Sequence, residues 1–230
     1  MIVRISKALK SFDGKEALSS LDLELPKGQV VGLLGINGAG KTTLLKIISG
    51  LLQPDQGQVS VMDRPPRAGR RHVAFLGDRQ GFPHWMKPKD ILRVMDALYG
   101  DFRPEVFLDL VDALKVPGHA IAKMSRGQQQ KLRLAATMAR KTDLYLLDEP
   151  LAGIDIVARK EILRHLMATF KPPSTVVIST HEIHDVEPHL TRALFLVAGR
   201  VVEDIGVERF KEKGLANLFV EKMRGQEAPS

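Results

Sequence analysis

Cysteine is absent from this sequence of 230 residues. Disulfide bonds, thiolate metal sites and cysteine nucleophiles are therefore excluded. Long apolar runs are absent as well, since none approaches the roughly 20 residues that a membrane-spanning helix needs. The opening MIVRISKALK also lacks the apolar core of a secretion signal. We therefore expect the chain to stay in the cytosol.

Aromatic residues are scarce, and acidic residues are outnumbered by basic ones. With 34 Lys and Arg against 27 Asp and Glu, the formal net charge is +7. This charge permits nucleic acid, anionic lipid or nucleotide as a partner without choosing among them, and a surface rich in Lys and Arg explains it equally well. The densest basic stretch, residues 63–72, has no interleaved aromatics, so we interpret it as a proline-stiffened solvated loop.

Alternating strand and helix patterns at both ends of the chain indicate an α/β fold with a parallel sheet covered on its faces. Residues 80–140 show helical patterns and no convincing strand, which indicates a helical subdomain inserted into the α/β core. The N-terminal strands and the turn FDGKEA predict a small antiparallel β subdomain at one edge. We expect one domain over residues 1–224 and an unstructured tail over 225–230. Strands are predicted at 2–7, 20–25, 29–34, 57–61, 72–76, 143–147, 174–179, 192–197 and 200–205, and helices at 41–51, 88–99, 104–115, 128–141, 155–169, 182–187, 207–213 and 215–224.

The strongest motif follows the strand predicted at 29–34. Residues 35–42 read GINGAGKT and match the phosphate-binding (P-loop) pattern G-x-x-x-x-G-K-[ST] at every fixed position, with a strand before and a helix after. Glycines allow successive backbone N–H groups to surround a phosphate. Lys41 brings a positive charge to the outer phosphates, and the Thr42 hydroxyl can bind Mg²⁺. The motif therefore predicts a nucleoside triphosphate with Mg²⁺, and the sequence lacks the N-K-x-D motif by which GTPases read their base.

Two adjacent acids, Asp148 and Glu149, end an apolar predicted strand. In open α/β sheets, ligands bind beyond the carboxyl ends of the strands. Asp148 is therefore placed to hold Mg²⁺ through water, and Glu149 to act as a general base toward an attacking water. An isolated Asp-Glu pair usually marks a solvated strand end, but the complete phosphate loop favours the catalytic interpretation.

His181 follows the apolar strand TVVIST and so shares the topological position of Asp148. A histidine there could hydrogen-bond a γ-phosphate or the attacking water. Spacing alone leaves a structural and a catalytic histidine equally open. His184 and His189 show no such placement, and we interpret them as surface residues.

A second glycine-containing segment, MSRGQ at 124–128, opens a predicted helix. Ser125 is a good N-cap, Gly127 allows close backbone approach, and the helix directs its positive end at an anion. Alone, SRGQ would be interpreted as an ordinary helix start. In the context of the other motifs, the chain resembles ABC-type ATPases over about residues 1–205. The resemblance is carried, in order along the chain, by Gly35–Thr42, Met124–Gln128, Leu144–Glu149, Ala152–Asp155 and His181.

The resemblance implies ATP hydrolysis by a head-to-tail dimer that encloses two ATP molecules. In such dimers the S-x-G-Q segment of one subunit contacts the γ-phosphate bound to the other, so that hydrolysis weakens the dimer. The resemblance also implies that Phe12 stacks on adenine, that Asp155 lies in a loop joining the two sites, and that His181 is catalytic beside Lys41 and Glu149. The implied ATP-binding residues are Phe12, Gly35, Asn37, Gly38, Ala39, Gly40, Lys41, Thr42 and Thr43, and those reaching the partner's ATP are Ser125, Arg126, Gly127 and Gln128.

The sequence departs from the family pattern after the strand predicted at 72–76. Family members usually have a glutamine there whose side chain reaches Mg²⁺. The simplest register puts Asp78 at this position, and Gln80 comes two residues later. We predict Asp78 as a third metal ligand beside Thr42 and Asp148, and Gln80 stays open as the alternative.

The implied role is that of the ATP-hydrolysing motor subunit of a transporter. The chain would work at the cytoplasmic face of the cell membrane with separate integral permease subunits. One of their helices would enter the groove between the Asp78 loop and the helical insert. The ATPase dimer could be a homodimer or a heterodimer with another ABC ATPase subunit. A short insert, no long regulatory domain and the tail GLANLFVEKMRG favour export.

Three alternatives stay open at this point. The chain could be an importer subunit, or a nucleotide-gated regulator with little turnover. It could also be a soluble ABC ATPase acting on nucleic acid or ribosomes. Chromosome and repair versions of that last class separate the phosphate loop from the S-x-G-Q segment by long coiled coils, and translation-factor versions carry two ATPase domains. Neither feature is present in this sequence, so a nucleic-acid partner is disfavoured.

Overall fold

The computed structural model describes residues 1–77, 81–170 and 173–227. No helix within these ranges is long and apolar enough to cross a bilayer. The strands are β1 Val3–Phe12, β2 Lys15–Leu25, β3 Val30–Leu34, β4 Gln56–Val61, β5 Val73–Leu76, β6 Leu144–Asp148, β7 Thr175–Thr180, β8 Arg192–Val197 and β9 Arg200–Gly206. The helices are α1 Lys41–Ile48, α2 Pro66–Gly69, α3 Pro88–Leu98, α4 Pro104–Ala113, α5 Arg126–Met138, α6 Ile156–Thr169, α7 Ile183–Val186, α8 Val207–Lys213 and α9 Leu215–Glu227.

The N-terminal part of the chain forms a small antiparallel sheet with the strand order β2-β1-β4. β1 and β2 make a hairpin in which Phe12 pairs with Lys15 across the turn Asp13-Gly14. The two turn residues have φ values of 49° and 79°, which a type I′ hairpin turn requires and an Asp-Gly pair readily adopts. The predicted antiparallel subdomain is confirmed. Its first two strands are longer than predicted because their pairing continues up to the turn.

The second sheet has the order β5-β6-β7-β3-β8-β9, and its strands run parallel except for β9, which is antiparallel to β8. Every residue of β6 and β7 is buried, as expected for central parallel strands covered on both faces. This confirms the predicted α/β core with a parallel-containing sheet.

The helical insert, defined as α3 to α5, lies between β5 and β6 in the chain. Phe107 and Leu110 of α4 are buried, while Leu108 on the same helix is exposed. The helix predicted at 104–115 is therefore amphipathic, and α4 packs against α5. The insert thereby carries α5, whose first turn holds the S-x-G-Q segment.

Two local predictions need correction. The basic stretch 63–72 is not a plain loop. It contains α2 and a 3₁₀ turn over Arg70–His72, and Pro65 and Pro66 start α2 because proline is compatible with a helix N-terminus.

At the C-terminal end of the described chain, α9 runs to Glu227, so residues 225–227 are helical rather than unstructured. Gln226 and Glu227 are good helix formers, and residues 228–230 lie outside the described ranges.

The topology brings the candidate catalytic segments to one edge of the sheet. In the order β6-β7-β3, the three strands are neighbours and parallel. They end at Asp148, Thr180 and Leu34 respectively. The phosphate loop, Glu149 and His181 therefore all follow strands that end at the same edge.

Arg140, which follows α5, ties the helical insert to the core sheet. Its side chain is buried and forms a two-point ion pair with Asp101, with N–O distances of 3.0 and 2.8 Å. It also donates to the carbonyl oxygens of Val73 and Arg71 at 2.8 and 3.1 Å. Its guanidinium lies 4.2 Å from the ring centre of Tyr99. One side chain thus holds the end of α3, the start of β5 and the end of α5 together.

We predict that Arg140→Met lowers the free energy of unfolding by about 3 kcal/mol, because it leaves the Asp101 carboxylate and two carbonyl groups without their partner. Arg4→Met is the control. Arg4 pairs with Glu24 at the surface, where both side chains are more than half exposed, so its loss should cost no more than about 0.5 kcal/mol. Chemical denaturation of both variants measures the difference, and equal losses would contradict this account of Arg140.

Candidate functional site

The phosphate loop Gly35–Thr42 leaves the end of β3 and enters α1. Gly38 and Gly40 have φ values of 82° and 105°, a conformation that side-chain-bearing residues rarely adopt. At Gly40 there is also no room for a side chain, because a Cβ would lie 2.4 Å from the carbonyl oxygen of Ala17. The glycines at these two positions are therefore required by the shape of the loop itself.

Lys41 folds back over this loop. Its Nζ donates to the carbonyl oxygens of Gly35 at 2.7 Å and Ile36 at 3.3 Å, and it lies 3.9 Å from Glu149 Oε1. The side chain is 7% exposed. Burial lowers the pKa of Lys41, and the nearby carboxylates of Glu149 and Asp148 oppose that shift. The ammonium group is thus held at the loop, beside acids that favour its charged form.

Thr42 and Asp148 form the candidate metal site. The Thr42 hydroxyl donates to Asp148 Oδ2 at 2.7 Å, and the Ser179 hydroxyl donates to Asp148 Oδ1. A hydroxyl and a carboxylate are oxygen donors of the kind that Mg²⁺ prefers, and Mg²⁺ usually completes its shell with water and substrate phosphates. The pair therefore fits this ion. Within the described ranges no cluster of three acidic or histidine side chains could hold a metal. Asp78 and Gln80 lie outside the described residues.

Glu149 and His181 are in direct contact. His181 Nδ1 lies 3.0 Å from Glu149 Oε2, and the Glu149 side chain is partly exposed. The Glu149 backbone has a φ of 45°, which is unusual and strained for a residue with a long side chain. Its peptide N–H donates to the carbonyl and hydroxyl oxygens of Ser179, at 3.1 Å each. The backbone turn directs the Glu149 side chain away from Asp148. The two adjacent carboxylates therefore contact different residues, Asp148 the hydroxyls of Thr42 and Ser179 and Glu149 the His181 ring.

A cleft of about 390 Å³ is lined by Lys41, Thr42 and Glu149 together with residues of the phosphate loop and of β1 and β2. Phe12 lies on its rim with a half-exposed ring, and Lys10 Nζ is 5.5 Å from the centre of that ring. An exposed aromatic face of this kind can stack on a planar base. The cleft is lined by Phe12, Lys15, Glu16, Ala17, Asn37, Gly38, Ala39, Gly40, Lys41, Thr42, Thr43 and Glu149.

The S-x-G-Q segment, Ser125–Gln128, opens α5 but does not line this cleft. Ser125 caps the helix, since its hydroxyl accepts from Gln128 N–H at 3.2 Å while the Gln128 side chain accepts from Ser125 N–H at 2.8 Å. Ser125 and Arg126 are exposed. The positive end of α5 is therefore presented at the surface, where a second molecule can reach it.

Gly127 packs against the loop that leads to Asp155. A Cβ on Gly127 would lie 2.7 Å from the carbonyl oxygen of Gly153, so only glycine fits without displacing backbone. Asp155 caps α6 by accepting from Ala158 N–H at 2.9 Å. The S-x-G-Q segment and the Asp155 loop of one chain are thus neighbours.

Sequence reasoning missed three polar side chains that support this edge of the sheet. Ser179 contacts both Asp148 and Glu149, and Gln130 of α5 donates to the carbonyl oxygens of Glu149 and Pro150. Arg159 of α6 contacts Glu182 at 2.9 Å, next to His181, and Asp185 at 3.1 Å. A serine near the end of β7, directly after the apolar run Val176–Ile178, was a usable signal for Ser179. Nothing in the local pattern of α5 distinguishes Gln130 from the glutamines beside it.

A sequence model described as "ABC transporter" matches residues 18–152. Among curated proteins, an aliphatic sulfonates import ATP-binding protein, SsuB of Pseudomonas putida, is 32% identical over 208 residues, covering 88% of this chain and 76% of that protein. The SkfA peptide export ATP-binding protein SkfE of Bacillus subtilis is 28% identical over 233 residues, covering 98% of this chain and 96% of that protein.

Solved structures match the fold over most of its length. The ATP-binding subunit of an ABC transporter superposes with a TM-score of 0.85 at 23% identity, covering 96% of this chain and 99% of the other. A dimeric ATP-binding cassette in a post-hydrolysis state, bound to ADP and Pi, superposes with a TM-score of 0.79 at 21% identity, covering 89% of this chain and 98% of the other. At these identities the matches establish the fold.

Proposed function

The chain belongs to the ABC transporter family as an ATP-binding, ATP-hydrolysing subunit, and from this premise we propose that it drives export of a substrate through separate membrane subunits. The observation that carries the catalytic part of the proposal is that Lys41, Thr42 and Glu149 line one cleft, while Asp148 contacts Thr42 and His181 contacts Glu149 directly. Lys41 and Thr42 follow β3, Asp148 and Glu149 stand at the end of β6, and His181 follows β7, and these three strands end at the same edge of the sheet.

We assign the following roles to the cleft. The backbone N–H groups of Gly35–Thr43 surround the phosphates of ATP, and Phe12 stacks on the base. Lys41 neutralises charge on the outer phosphates, and its existing bonds to two carbonyl oxygens keep it over the loop. Thr42 and Asp148 would hold Mg²⁺, which when bound neutralises charge on the phosphates. Asp78 stays a prediction as a further ligand.

Glu149 is the proposed general base for the attacking water. Its carboxylate is partly exposed to the cleft and contacts His181, so a water bound there can donate one proton to Glu149 while His181 orients it or the γ-phosphate. Because phosphoryl transfer depends mostly on positioning and charge stabilisation, this geometry accounts for the chemistry without a covalent intermediate.

The site is completed by a second subunit. Ser125 and Arg126 are exposed and Gly127 and Gln128 are partly exposed at the positive end of α5, and all four lie outside the cleft of their own chain. In a head-to-tail dimer each copy would present this segment to the γ-phosphate of the other, with the Asp155 loop between the two sites. The partner would be a second copy of this chain or a related ATPase subunit.

Residues 78–80, which would border the groove predicted from the sequence, lie outside the described ranges. A larger cleft, of about 750 Å³, lies between the helical insert and the core, and we propose it as the docking site for a helix of the membrane subunits. Leu51, Leu98 and Tyr99 at this cleft have exposed apolar surface, and Arg70, Arg71 and Lys141 supply positive charge. This surface would place the chain at the cytoplasmic face of the membrane. Its position beside β5 links the docked helix to the strand that leads into residues 78–80.

Export is the direction supported by the peptide-export relative, which aligns over nearly the full length of both chains. Import is the competing direction, favoured by the sulfonate-import relative. Inverted vesicles that contain the membrane subunits test the direction. Accumulation of the transported compound on addition of ATP supports export, whereas ATP-dependent loss of preloaded compound would establish import.

We predict that Glu149→Gln lowers ATP turnover by at least about 100-fold, because it removes the general base, while ATP binding persists. The variant should therefore accumulate as an ATP-bound dimer, measured by size-exclusion chromatography with light scattering in saturating ATP and Mg²⁺. Glu161→Gln, at an exposed position of α6, is the control and should behave as the wild type. A Glu149→Gln variant that stays monomeric would contradict the proposed dimer.

We further predict that Leu98→Asp prevents copurification of an integral membrane subunit with the tagged chain from detergent-solubilised membranes. A charge in the larger cleft opposes docking of an apolar helix face. Leu108→Asp, also exposed on the insert but outside this cleft, is the control and should copurify normally. Recovery of nucleic acid or ribosomes instead of a membrane protein would support the soluble alternative.

A further inference from the structure

We propose that Gln130 and Arg133 of α5 are positioning residues that hold the strained backbone of Glu149 and tie it to the end of β5. Neither residue lines the nucleotide cleft, so both would act through Glu149 rather than on ATP. The inference rests on the proposed role of Glu149 as the base. It adds a connection between the catalytic carboxylate and the helical insert.

The backbone of Glu149 has a left-handed conformation that needs support from its surroundings. With a φ of 45° this residue is strained, and such a conformation persists only where surrounding contacts fix it. Its N–H is held by Ser179 of β7. Its carbonyl oxygen accepts from Ala152 N–H at 3.1 Å and from Gln130 Nε2 at 3.3 Å. Gln130 is thus a contact from outside the strand-end segment that holds the peptide group on the C-terminal side of Glu149.

The Gln130 side chain is buried, at 8% exposure. Both polar atoms of its amide form hydrogen bonds. Nε2 donates to the carbonyl oxygens of Glu149 and Pro150, the latter at 3.1 Å. Oε1 accepts from Arg133 Nη1 at 3.2 Å. Because arginine can only donate, this contact fixes which end of the amide faces the two carbonyls. A flipped amide would direct its oxygen at two other oxygens.

Arg133 extends the connection to the core sheet. Its Nη2 donates to the carbonyl oxygen of Gly77, the residue that follows β5 and precedes residues 78–80. One guanidinium therefore joins the end of β5 to the Gln130 amide, which in turn holds Glu149. A shift of the Gly77 carbonyl relative to α5 would release Arg133, and with it the orientation of Gln130.

Gln129 is a matched control, because it has the same side chain but does not hydrogen-bond to Glu149. It is the neighbouring residue on α5, and its Nε2 also donates to two carbonyl oxygens, those of Ile121 and Met124 at 3.2 and 3.0 Å. These acceptors lie within the helical insert and not in the catalytic segment. Each glutamine donates to two carbonyl oxygens, so a comparison of the two variants separates a loss of stability from a loss of positioning.

The first test compares Gln130→Leu with Gln129→Leu in the purified full chain, using steady-state ATP hydrolysis and thermal unfolding. Gln130→Leu should lower kcat by at least about tenfold, since a small displacement of a catalytic group is costly, while KM for ATP changes by less than about twofold. Gln129→Leu should lose comparable thermal stability and keep its kcat. Equal kcat values for the two variants would overturn the proposal.

The second test substitutes Arg133, which is partly exposed and should therefore tolerate substitution more readily than Gln130. This test keeps the proposal falsifiable if Gln130→Leu does not fold. Arg133→Met should lower kcat without changing KM, and Arg133→Lys should lose less because it keeps one charged donor nitrogen. The double variant Gln130→Leu/Arg133→Met should be no slower than the slower parent, since the pair acts as a unit. Full kcat in Arg133→Met, or additive losses, would overturn the connection.

Glu149→Gln and the wild type are measured in the same assay. If Glu149→Gln turns over ATP at the wild-type rate, the proposed role of Glu149 fails. If Glu149→Gln is inactive while the Gln130 and Arg133 variants keep full kcat, the proposed function stands and this inference alone is wrong.

Discussion

Convergence of parallel strands at one edge of a sheet is the constraint on which the site depends. β6, β7 and β3 are hydrogen-bonded neighbours, and their registers place Asp148 opposite Ser179 and Leu34 opposite Thr180. Residues that are far apart in the chain therefore meet within hydrogen-bonding distance: Thr42 with Asp148, and Glu149 with His181. The buried strands supply rigidity, and the polar residues at or just past their ends supply the groups to which we assign the chemistry.

Backbone geometry then separates two adjacent acids. Asp148 ends β6 in extended conformation, buried between the hydroxyls of Thr42 and Ser179. Glu149 turns into the left-handed region and faces the cleft instead. The strain of this turn is offset by contacts from Ser179 and Gln130, which belong to two different elements. A carboxylate held in this way is preorganised for the proposed role as base, and a motion of α5 would change its position.

Most of the fold could be predicted from the sequence because it is encoded by patterns among residues that are close together in the chain. The antiparallel subdomain, the parallel core and the helical insert all follow from hydrophobic period and turn residues, and the phosphate loop and strand-end acids follow from motifs of a few residues. Gln130 and Arg133 could not be found this way, because their partners lie far along the chain and depend on how α5 packs. The basic stretch 63–72 was misinterpreted because its prolines, taken as loop residues, start a short helix.

The central claim is that each ATP site is shared between two subunits, and mixing two inactive variants tests it most directly. Lys41→Met would disable the phosphate loop of its own chain. Ser125→Arg would disable the S-x-G-Q segment that contacts the ATP of the partner subunit. In a head-to-tail dimer of one of each, one site keeps both residues intact, so the equimolar mixture should recover about a quarter of the wild-type ATPase rate. A mixture no more active than its two components would contradict the shared site.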